Sequence, residues 1–123
     1  MPPPASTPTD PDCLFCQIVA GDLPATVVHE DEHTLAFRDL DPQAPVHVVV
    51  VPRRHVPTVA ALAEQAPEEV AAVMNAVAAV ARQEGIDERG YRSVFNTGPD
   101  AHQTVLHAHV HVLGGRFMTW PPG

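Results

Sequence analysis

Hydrophobic and polar positions divide the chain into a polar N-terminal tail and one longer region with a core-forming pattern. Residues 1–11 are rich in proline, serine, threonine and aspartate and have no apolar face to bury, so we predict a disordered tail there. From residue 12 to residue 123, apolar segments of two different periods follow one another, separated by short polar or glycine-containing stretches. We therefore predict a single domain over residues 12–123.

The apolar segments predict an α+β domain built on a mainly antiparallel sheet. Leu14, Ile18 and Val19 fit a short helix over residues 13–20. Two short apolar runs flank the charged residues 30–32 and predict a hairpin. A β-branched run predicts a central buried strand that ends at Pro52. The predicted strands are residues 26–28, 34–37, 46–51, 91–96 and 107–113.

A long helix is predicted to begin at Pro67 and to end near Gly85. Proline suits the first helical position, and glycine suits the position just past the last turn. Apolar residues recur between them at helical spacing on one face. This apolar stripe consists of Val70, Val73, Met74, Val77 and Val80. We expect the stripe to pack in the core or against another helix, with no role in binding a cofactor.

Length, charge and cysteine content limit the classes of partner. A chain of 123 residues, 45% of them hydrophobic, can form one domain with a real core. The formal net charge of -8 argues against a nucleic acid or an anionic membrane surface as the main partner. No apolar run approaches the ~20 residues that span a bilayer, and the proline-rich N-terminus does not resemble a secretory signal. With only two cysteines, we expect a protein of the reducing cytoplasm.

The segment from His107 to Leu113 carries the strongest candidate chemistry. Side chains alternate between the faces of a strand, so His107, His109 and His111 are expected on one face, roughly 6.5–7 Å apart along it. The small apolar residues between them are expected to point into the core. Imidazoles on such a strand need partners, because burying a polar group without a hydrogen bond is costly.

Three interpretations of these histidines are open from the residues alone. They could form a solvated polar face, they could chelate a metal ion, or they could perform nucleophilic and acid–base chemistry near neutral pH. The loop before the strand favours the third interpretation, since it offers donors suited to phosphoryl oxygens. These loop residues are Asn96, Gly98, Gln103 and Thr104.

From residue 13 to residue 123 the chain resembles the histidine triad family, in particular its nucleoside phosphoramidate hydrolases, which are also called histidine triad nucleotide-binding proteins. The resemblance lies in several blocks that occur in the family's order. These blocks are residues 35–39, 42–47, 51–55 and 103–113, the Gly114-Gly115-Arg116 turn and the closing Trp120-Pro121-Pro122-Gly123.

The resemblance implies that a nucleotide lies with its phosphate over the triad and that His109, the middle histidine, attacks the α-phosphorus. His111 and the loop residues Gln103 and Thr104 would bind phosphate oxygens or the leaving group, while His107 completes the triad. His47 would orient the triad by hydrogen bonding, unless it is simply a satisfied core histidine. No cofactor is implied for the chemical step.

Further residues are implied for the rest of a purine nucleotide. Asn96 would lie near the phosphate, and Asp39 would accept hydrogen bonds from the ribose hydroxyls, unless it is a solvated turn residue. An apolar slot would hold the base, although Ile18 and Phe37 could equally belong to the core. The residues implied for the slot are Leu14, Phe15, Ile18, Phe37 and Leu40.

The resemblance also implies a two-fold homodimer in which two five-stranded sheets become continuous. The C-terminal segments would then be exchanged, which would place Trp120 near the partner's pocket. A simpler role for Trp120 would be to anchor the tail. The chain departs from the family at Ala101-His102, where two small residues, often glycines, are usual, and this leaves the loop geometry and the substrate preference open.

The pair Cys13-x-x-Cys16 has three interpretations. A redox pair normally follows a strand in a βαβ unit, which is not predicted here. Two buried thiols on a short helix would be ordinary packing. Some bacterial histidine triad proteins place Cys13, Cys16, His55 and His107 as this chain does, and this resemblance implies a structural zinc site that takes no part in the chemistry.

The predicted function is hydrolysis of a nucleoside 5′-phosphoramidate or aminoacyl-nucleotide to a nucleoside monophosphate and an amine. A dinucleoside polyphosphate hydrolase or a nucleotidyl transferase would use the same covalent intermediate with another leaving group. Two further candidates are a nucleotide-binding protein whose triad is chemically idle and a zinc hydrolase that uses the triad as ligands.

Overall fold

A computed structural model describes residues 8–123, which form an α+β fold on one open antiparallel sheet. The spatial order of the five strands is β1-β2-β3-β5-β4, and every neighbouring pair is antiparallel. The helices are α1 (Leu14–Ala20), α2 (Val59–Gln65) and α3 (Pro67–Gln83). The strands are β1 (Val27–Glu30), β2 (Thr34–Arg38), β3 (Val46–Pro52), β4 (Tyr91–Val94) and β5 (Val110–Gly114).

The sheet separates two apolar layers. On one face, Val48, Val50, Val110 and Val112 pack with the buried side of α3. On the other face, Leu35, Phe37, Val49 and Val51 pack with Phe15 and Val19 of α1. Because β3 pairs with β5 so that Val49 lies opposite His111, the histidines project from the second face. The fold thus places the histidines in the layer that α1 covers.

The strand that carries the triad is shorter than predicted. We expected it to begin at His107, but β5 begins at Val110. The register pairs Val50 with Val110, so two more steps would place Ala108 opposite Pro52, which has no N–H to donate. The N–H of Ala108 instead donates to the carbonyl of Val56 at 2.8 Å. The predicted strand 91–96 is also shorter, because β4 ends at Val94.

Two further details of the helices differ from the sequence-based expectation. The helix α2 was not predicted, although Thr58 caps it by accepting a hydrogen bond from the N–H of Ala61 at 3.1 Å. In α3, which begins at Pro67 as predicted, Met74 is 42% exposed and does not belong to the core. Ala76 and Ala81 are buried there instead, because the contact face is rotated toward the alanines.

The segment just before α1 makes specific hydrogen bonds. The N–H of His55 donates to the carbonyl of Pro8 at 2.8 Å, and the N–H of Cys13 donates to the carbonyl of Asp10 at 3.1 Å. Residues 8–11 of the predicted tail are therefore held against the fold, while residues 1–7 of that prediction lie outside the described residues. The single domain over 12–123 stays a prediction. Within residues 8–123, no helix is long and apolar enough to cross a membrane.

Candidate active site and metal centre

A pocket of about 640 Å³ opens on the face of the sheet that α1 partly covers. Its floor comes from β3 and β5, one wall comes from α1, and the loop after β4 closes another side. The sequence-predicted residues that line it are Leu14, Phe15, Ile18, Phe37, Asp39, Leu40, His47, Asn96, Thr104, His109 and His111. The fold therefore gathers most of the predicted nucleotide-binding residues at one place.

The protonation state of His109 follows from its hydrogen bond to the backbone. Its Nδ1 lies 2.7 Å from the carbonyl oxygen of His107. A carbonyl only accepts, so in the neutral ring Nδ1 carries the proton and donates it. The other nitrogen, Nε2, is then left with its lone pair. His109 is a buried pocket residue, and this tautomer gives it a nucleophilic nitrogen.

A chain of hydrogen bonds also fixes the tautomers of His47 and His111. The backbone N–H of Gln43 donates to Nδ1 of His47 at 3.0 Å. Neutral His47 must then hold its proton on Nε2, which lies 2.8 Å from Nδ1 of His111. His111 accepts this hydrogen bond, so its own proton is on Nε2. The result is one imidazole with a free lone pair, His109, beside one with an available N–H, His111.

Burial keeps these imidazoles uncharged near neutral pH. Desolvation lowers the pKa of His47 and of His109, and it lowers the pKa of His111 to about 4, with further contributions from His109 and His47. The negative charge of Asp39 acts in the opposite direction on all three. The uncharged state of His109 is the one that a nucleophile requires.

Asp39 lies closer to the histidines than its predicted role requires. Its Oδ2 is 3.4 Å from Nε2 of His47 and 3.9 Å from Nδ1 of His111. Its Oδ1 accepts a hydrogen bond from the N–H of Asp41 at 2.8 Å. The carboxylate is 24% exposed, so it faces both the pocket and the histidine pair.

The apolar wall of the pocket is uneven. Phe15 packs edge-to-face against Phe37 and against His109, with ring centroids 5.5 and 5.0 Å apart. Both phenylalanines are buried. Leu14 is 47% exposed and Leu40 is 98% exposed, so these two lie at the rim, where they could cover one side of a flat ligand.

The loop after β4 differs in part from the expectation. Thr104 and Asn96 line the pocket, but Gln103 does not. The Gln103 amide is used inside the protein, since it accepts from the N–H of Gly98 and donates to the carbonyls of Pro57 and Val105. Its predicted contact with phosphate stays a prediction.

His102 is a pocket residue in an unusual backbone conformation. It lines the pocket, and its φ of 63° lies in the left-handed region that favours glycine. The small residues that the resemblance implies at this position would suit that backbone. Trp120 does not line this chain's pocket; it is 79% exposed and lies near the guanidinium of Arg92.

A second cluster brings together the four predicted metal ligands, Cys13, Cys16, His55 and His107. Nδ1 of His107 is 3.4 Å from Sγ of Cys13, 3.6 Å from Sγ of Cys16 and 3.3 Å from Nδ1 of His55. A tetrahedral zinc ion with ordinary bond lengths separates two nitrogens by about 3.3 Å and a nitrogen from a sulfur by about 3.5 Å. The spacing and the donor set therefore fit zinc.

Groups outside the cluster orient its ligands. Nε2 of His107 donates to the carbonyl of Pro52 at 2.8 Å, which leaves Nδ1 free to coordinate. The N–H groups of Asp10 and Cys16 donate to Sγ of Cys16 and Cys13, each at 3.4 Å. Burial raises the pKa of the Cys16 thiol to about 11 in the metal-free chain, and a bound cation reverses that effect.

The pocket is also lined by residues that were not predicted from the sequence to bind a ligand. Leu23, Pro24, Val49, Val94 and Leu113 contribute to its lining. Apolar residues within or next to predicted strands carry no signal that distinguishes a pocket wall from a core. The backbone N–H of Gln43 was missed as well, since a backbone donor leaves no mark in the sequence.

Comparison with known proteins identifies the family and the fold. The family described as the HIT domain matches residues 20–118. The chain belongs to the HIT family. A solved structure of a HIT family hydrolase from Legionella pneumophila Philadelphia 1 superimposes on this HIT protein with a TM-score of 0.87 at 47% identity, covering 91% of this chain and 100% of that one.

Two plant relatives match the HIT protein along nearly the whole chain. A 14 kDa zinc-binding protein of Zea mays is 47% identical and covers 93% of this chain and 90% of its own length. The adenylylsulfatase HINT1 of Arabidopsis thaliana is 44% identical and covers 97% of this chain and 82% of its own length. The fold class and the family predicted from the sequence are confirmed.

Proposed function

We propose that this HIT protein is a nucleotide-binding hydrolase that converts nucleoside 5′-phosphoramidates or aminoacyl-nucleotides into a nucleoside monophosphate and an amine. The observation that carries this proposal is the hydrogen bond of 2.7 Å from Nδ1 of His109 to the carbonyl of His107. It leaves Nε2 of a buried pocket imidazole unprotonated, which a covalent mechanism needs.

In the first step of a phosphoramidate reaction, Nε2 of His109 forms a bond to the α-phosphorus and the phosphorus–nitrogen bond of the substrate breaks. The leaving amine takes the bond's electron pair and needs one proton. The donor is Nε2–H of His111, because Nδ1 of His111 is held by His47 at 2.8 Å. The His47–His111 pair first takes up a proton from solvent, so that giving one to the amine leaves both rings neutral.

In the second step, water attacks the phosphorus and the bond to Nε2 of His109 breaks. The nucleoside monophosphate leaves, and the proton that water loses restores the one given to the amine. Atoms and charge therefore balance without a further reactant. The protein mainly positions the groups and stabilises charge on the phosphoryl oxygens. Asn96 and Thr104, which line the pocket, can donate hydrogen bonds to these oxygens.

We propose a purine nucleotide as the occupant of the pocket. Phe15, Phe37 and Ile18 form an apolar wall against which a flat base can pack. Asp39 lies where a carboxylate can accept from sugar hydroxyls, and the overall charge of -8 makes local donors necessary for any phosphate.

We also propose that Cys13, Cys16, His55 and His107 bind a structural zinc ion. The supporting facts are the fit of their spacing and donor set and the name of the Zea mays relative. When bound, zinc would tie α1 to the segment before β5 and stabilise the fold. Cys13 and Cys16 form no disulfide, which is consistent with a protein that functions in the reducing cytoplasm.

A two-fold homodimer belongs to the same proposal. The edge strand β4 is partly exposed, and Phe117 and Trp120 are 90% and 79% exposed on the C-terminal segment, which suits burial against a second copy. In such a dimer the partner's Trp120 would approach this chain's pocket.

The test is hydrolysis of adenosine 5′-phosphoramidate by the wild type, His109→Ala and His33→Ala. We expect His109→Ala to lose at least about a thousandfold in kcat and to lack the nucleotidyl adduct that mass spectrometry detects in wild type denatured rapidly at alkaline pH. His33, which lies outside the pocket lining and is 41% exposed, is the matched control and should leave turnover unchanged. Nucleotide binding without turnover in the wild type would refute the hydrolase and favour a binding protein.

Adenosine 5′-phosphosulfate is a second candidate substrate, because the Arabidopsis relative is named an adenylylsulfatase. The same attack by His109 would release sulfate, which leaves as an anion and needs no proton. Replacing His111 by Asn should therefore slow the phosphoramidate more than the phosphosulfate. Equal losses on both substrates would show that His111 serves the phosphoryl oxygens and not the leaving group.

A further inference from the structure

The carboxylate of Asp39 is held against the histidine pair by the backbone around it. The N–H of Asp39 donates to the carbonyl of His47 at 3.0 Å, so Asp39, just past the end of β2, lies beside His47 of β3. Oδ1 is engaged by the N–H of Asp41, and Oδ2 is therefore directed to Nε2 of His47 at 3.4 Å and Nδ1 of His111 at 3.9 Å.

The three side chains have the composition of a cation site, but the proton arrangement argues for a hydrogen-bonded unit. Nε2 of His47 would have to give up its proton to bind a metal ion, and the proton would move to Nδ1. There it would meet the N–H of Gln43, which donates to Nδ1 at 3.0 Å. Two donors would then face each other in a buried place, which costs free energy.

We propose that Asp39 is a positioning residue for the His47–His111 pair, in addition to any contact that it makes with a sugar. Its negative charge holds Nε2–H of His47 near Nδ1 of His111, and it stabilises the imidazolium that the pair forms when it takes up a proton from solvent, before Nε2 of His111 passes that proton to the leaving amine. The inference rests on the proposed hydrolase, because it assigns a role within that reaction.

The other charged groups near the pair do not duplicate this role. Asp41 also acts on His47, but at longer range and from an exposed position. Arg38, at the end of β2, is paired with Glu84 at 2.6 Å. His109 cannot replace the carboxylate, because an imidazole ring is neutral or positive and supplies no negative charge. Asp39 is thus the carboxylate in direct reach of both imidazoles.

The test compares Asp39→Asn with the wild type on two substrates, adenosine 5′-phosphoramidate and its 2′,3′-dideoxy analogue. The analogue lacks the hydroxyls that Asp39 could bind, so a purely sugar-binding Asp39 predicts equal rates for the two proteins on it. The positioning role predicts that kcat falls about tenfold on both substrates, the effect of about one pKa unit, with an additional rise in KM on the ribose substrate alone. Equal kcat on the analogue overturns the proposal.

Asp41→Asn is the matched control, because it removes the same charge two residues away and leaves the contacts of the Asp39 carboxylate with His47 and His111 in place. We expect its kcat to stay within about twofold of the wild type, and a loss as large as that of Asp39→Asn would overturn the specific role of Asp39. A second measurement needs no substrate: NMR titration of the ring nitrogens of His47 and His111 should move to lower pH in Asp39→Asn. An unchanged titration of the two histidines overturns the proposal, whether or not the wild type hydrolyses either substrate. A lack of turnover by itself refutes only the proposed hydrolase.

Discussion

Zinc binding at the four-residue cluster predicts a defined dependence of stability on the free zinc concentration. Cys13, Cys16, His55 and His107 converge on one point, so one ion per chain is expected. When an ion binds only the folded state, the free energy of unfolding rises by about 1.4 kcal/mol for each tenfold rise in free zinc above the dissociation constant. For a chain of 123 residues, this corresponds to about 5 °C in Tm per decade.

The assay is thermal unfolding in zinc buffers that span several decades of free zinc. The matched variants are Cys16→Ser, which removes one ligand, and His33→Ala, which changes a histidine outside the cluster. Cys16→Ser should have a lower Tm and a much weaker dependence on zinc, while His33→Ala should retain the wild-type slope. Calorimetry at neutral pH should also detect protons released on binding, because the thiols must ionise to coordinate zinc.

Two results would refute this reasoning. A wild-type Tm that does not change over several decades of free zinc would show that the cluster does not bind the ion at these concentrations. A slope twice the expected value would show that the chain binds two ions, which would contradict the hydrogen-bonded interpretation of His47 and its neighbours.

Four further predictions concern packing, backbone and protonation. Leu62→Ala should cost about 2–5 kcal/mol in urea unfolding, because Leu62 is 1% exposed, whereas Met74→Ala, at an exposed position, should cost less than about 1 kcal/mol. His102→Gly should not lower Tm, since glycine suits a φ of 63°, and a clear drop would mean that the His102 side chain stabilises the loop. Gln43→Pro should lower kcat, because it removes the backbone N–H that donates to Nδ1 of His47. Gln43→Ala keeps that N–H and should retain most of the activity. Burial lowers the pKa of His111 from 6.5 to about 4. The contribution of neutral His111 to the free energy of unfolding is therefore complete above pH 6.5 and is lost as the pH falls toward 4. With metal removed by a chelator, the free energy of unfolding of the wild type should fall by up to about 3 kcal/mol more than that of His111→Asn over this range.

The sequence allowed the second face of the sheet to be predicted in outline. The period of two along residues 107–113 placed His109 and His111 on one side and Val110 and Val112 on the other, and the structure separates them in this way. The period holds because it is a property of extended backbone and does not depend on what the strand pairs with. The start of β5 at Val110 could not be predicted, since it depends on which residue of β3 lies opposite.

The missed elements have similar physical causes. The helix α2 is only seven residues long, so its apolar pattern is too brief to identify, and Pro67 gave the clearer signal for a helix start. Gln103 is predicted to contact phosphate because its amide can donate; in the structure the same amide bonds to the loop's own backbone, and the phosphate contact stays a prediction. Residue type indicates what a side chain can do, whereas the direction in which it points depends on the fold.

The two clusters are joined by one residue, and this limits how the metal site can affect the chemistry. The side chain of His107 belongs to the four-ligand cluster. Its backbone carbonyl oxygen accepts a hydrogen bond from Nδ1 of His109 at 2.7 Å. A change in the metal cluster therefore reaches His109 through the position of one carbonyl group and through Phe15, whose ring packs on both His107 and His109. Backbone groups of Gln43, Pro52 and His107 fix the tautomers of His47, His107 and His109 respectively. Because these groups are set by the sheet and its connections, the reactivity of His109 depends on the fold as a whole rather than on the metal ion alone.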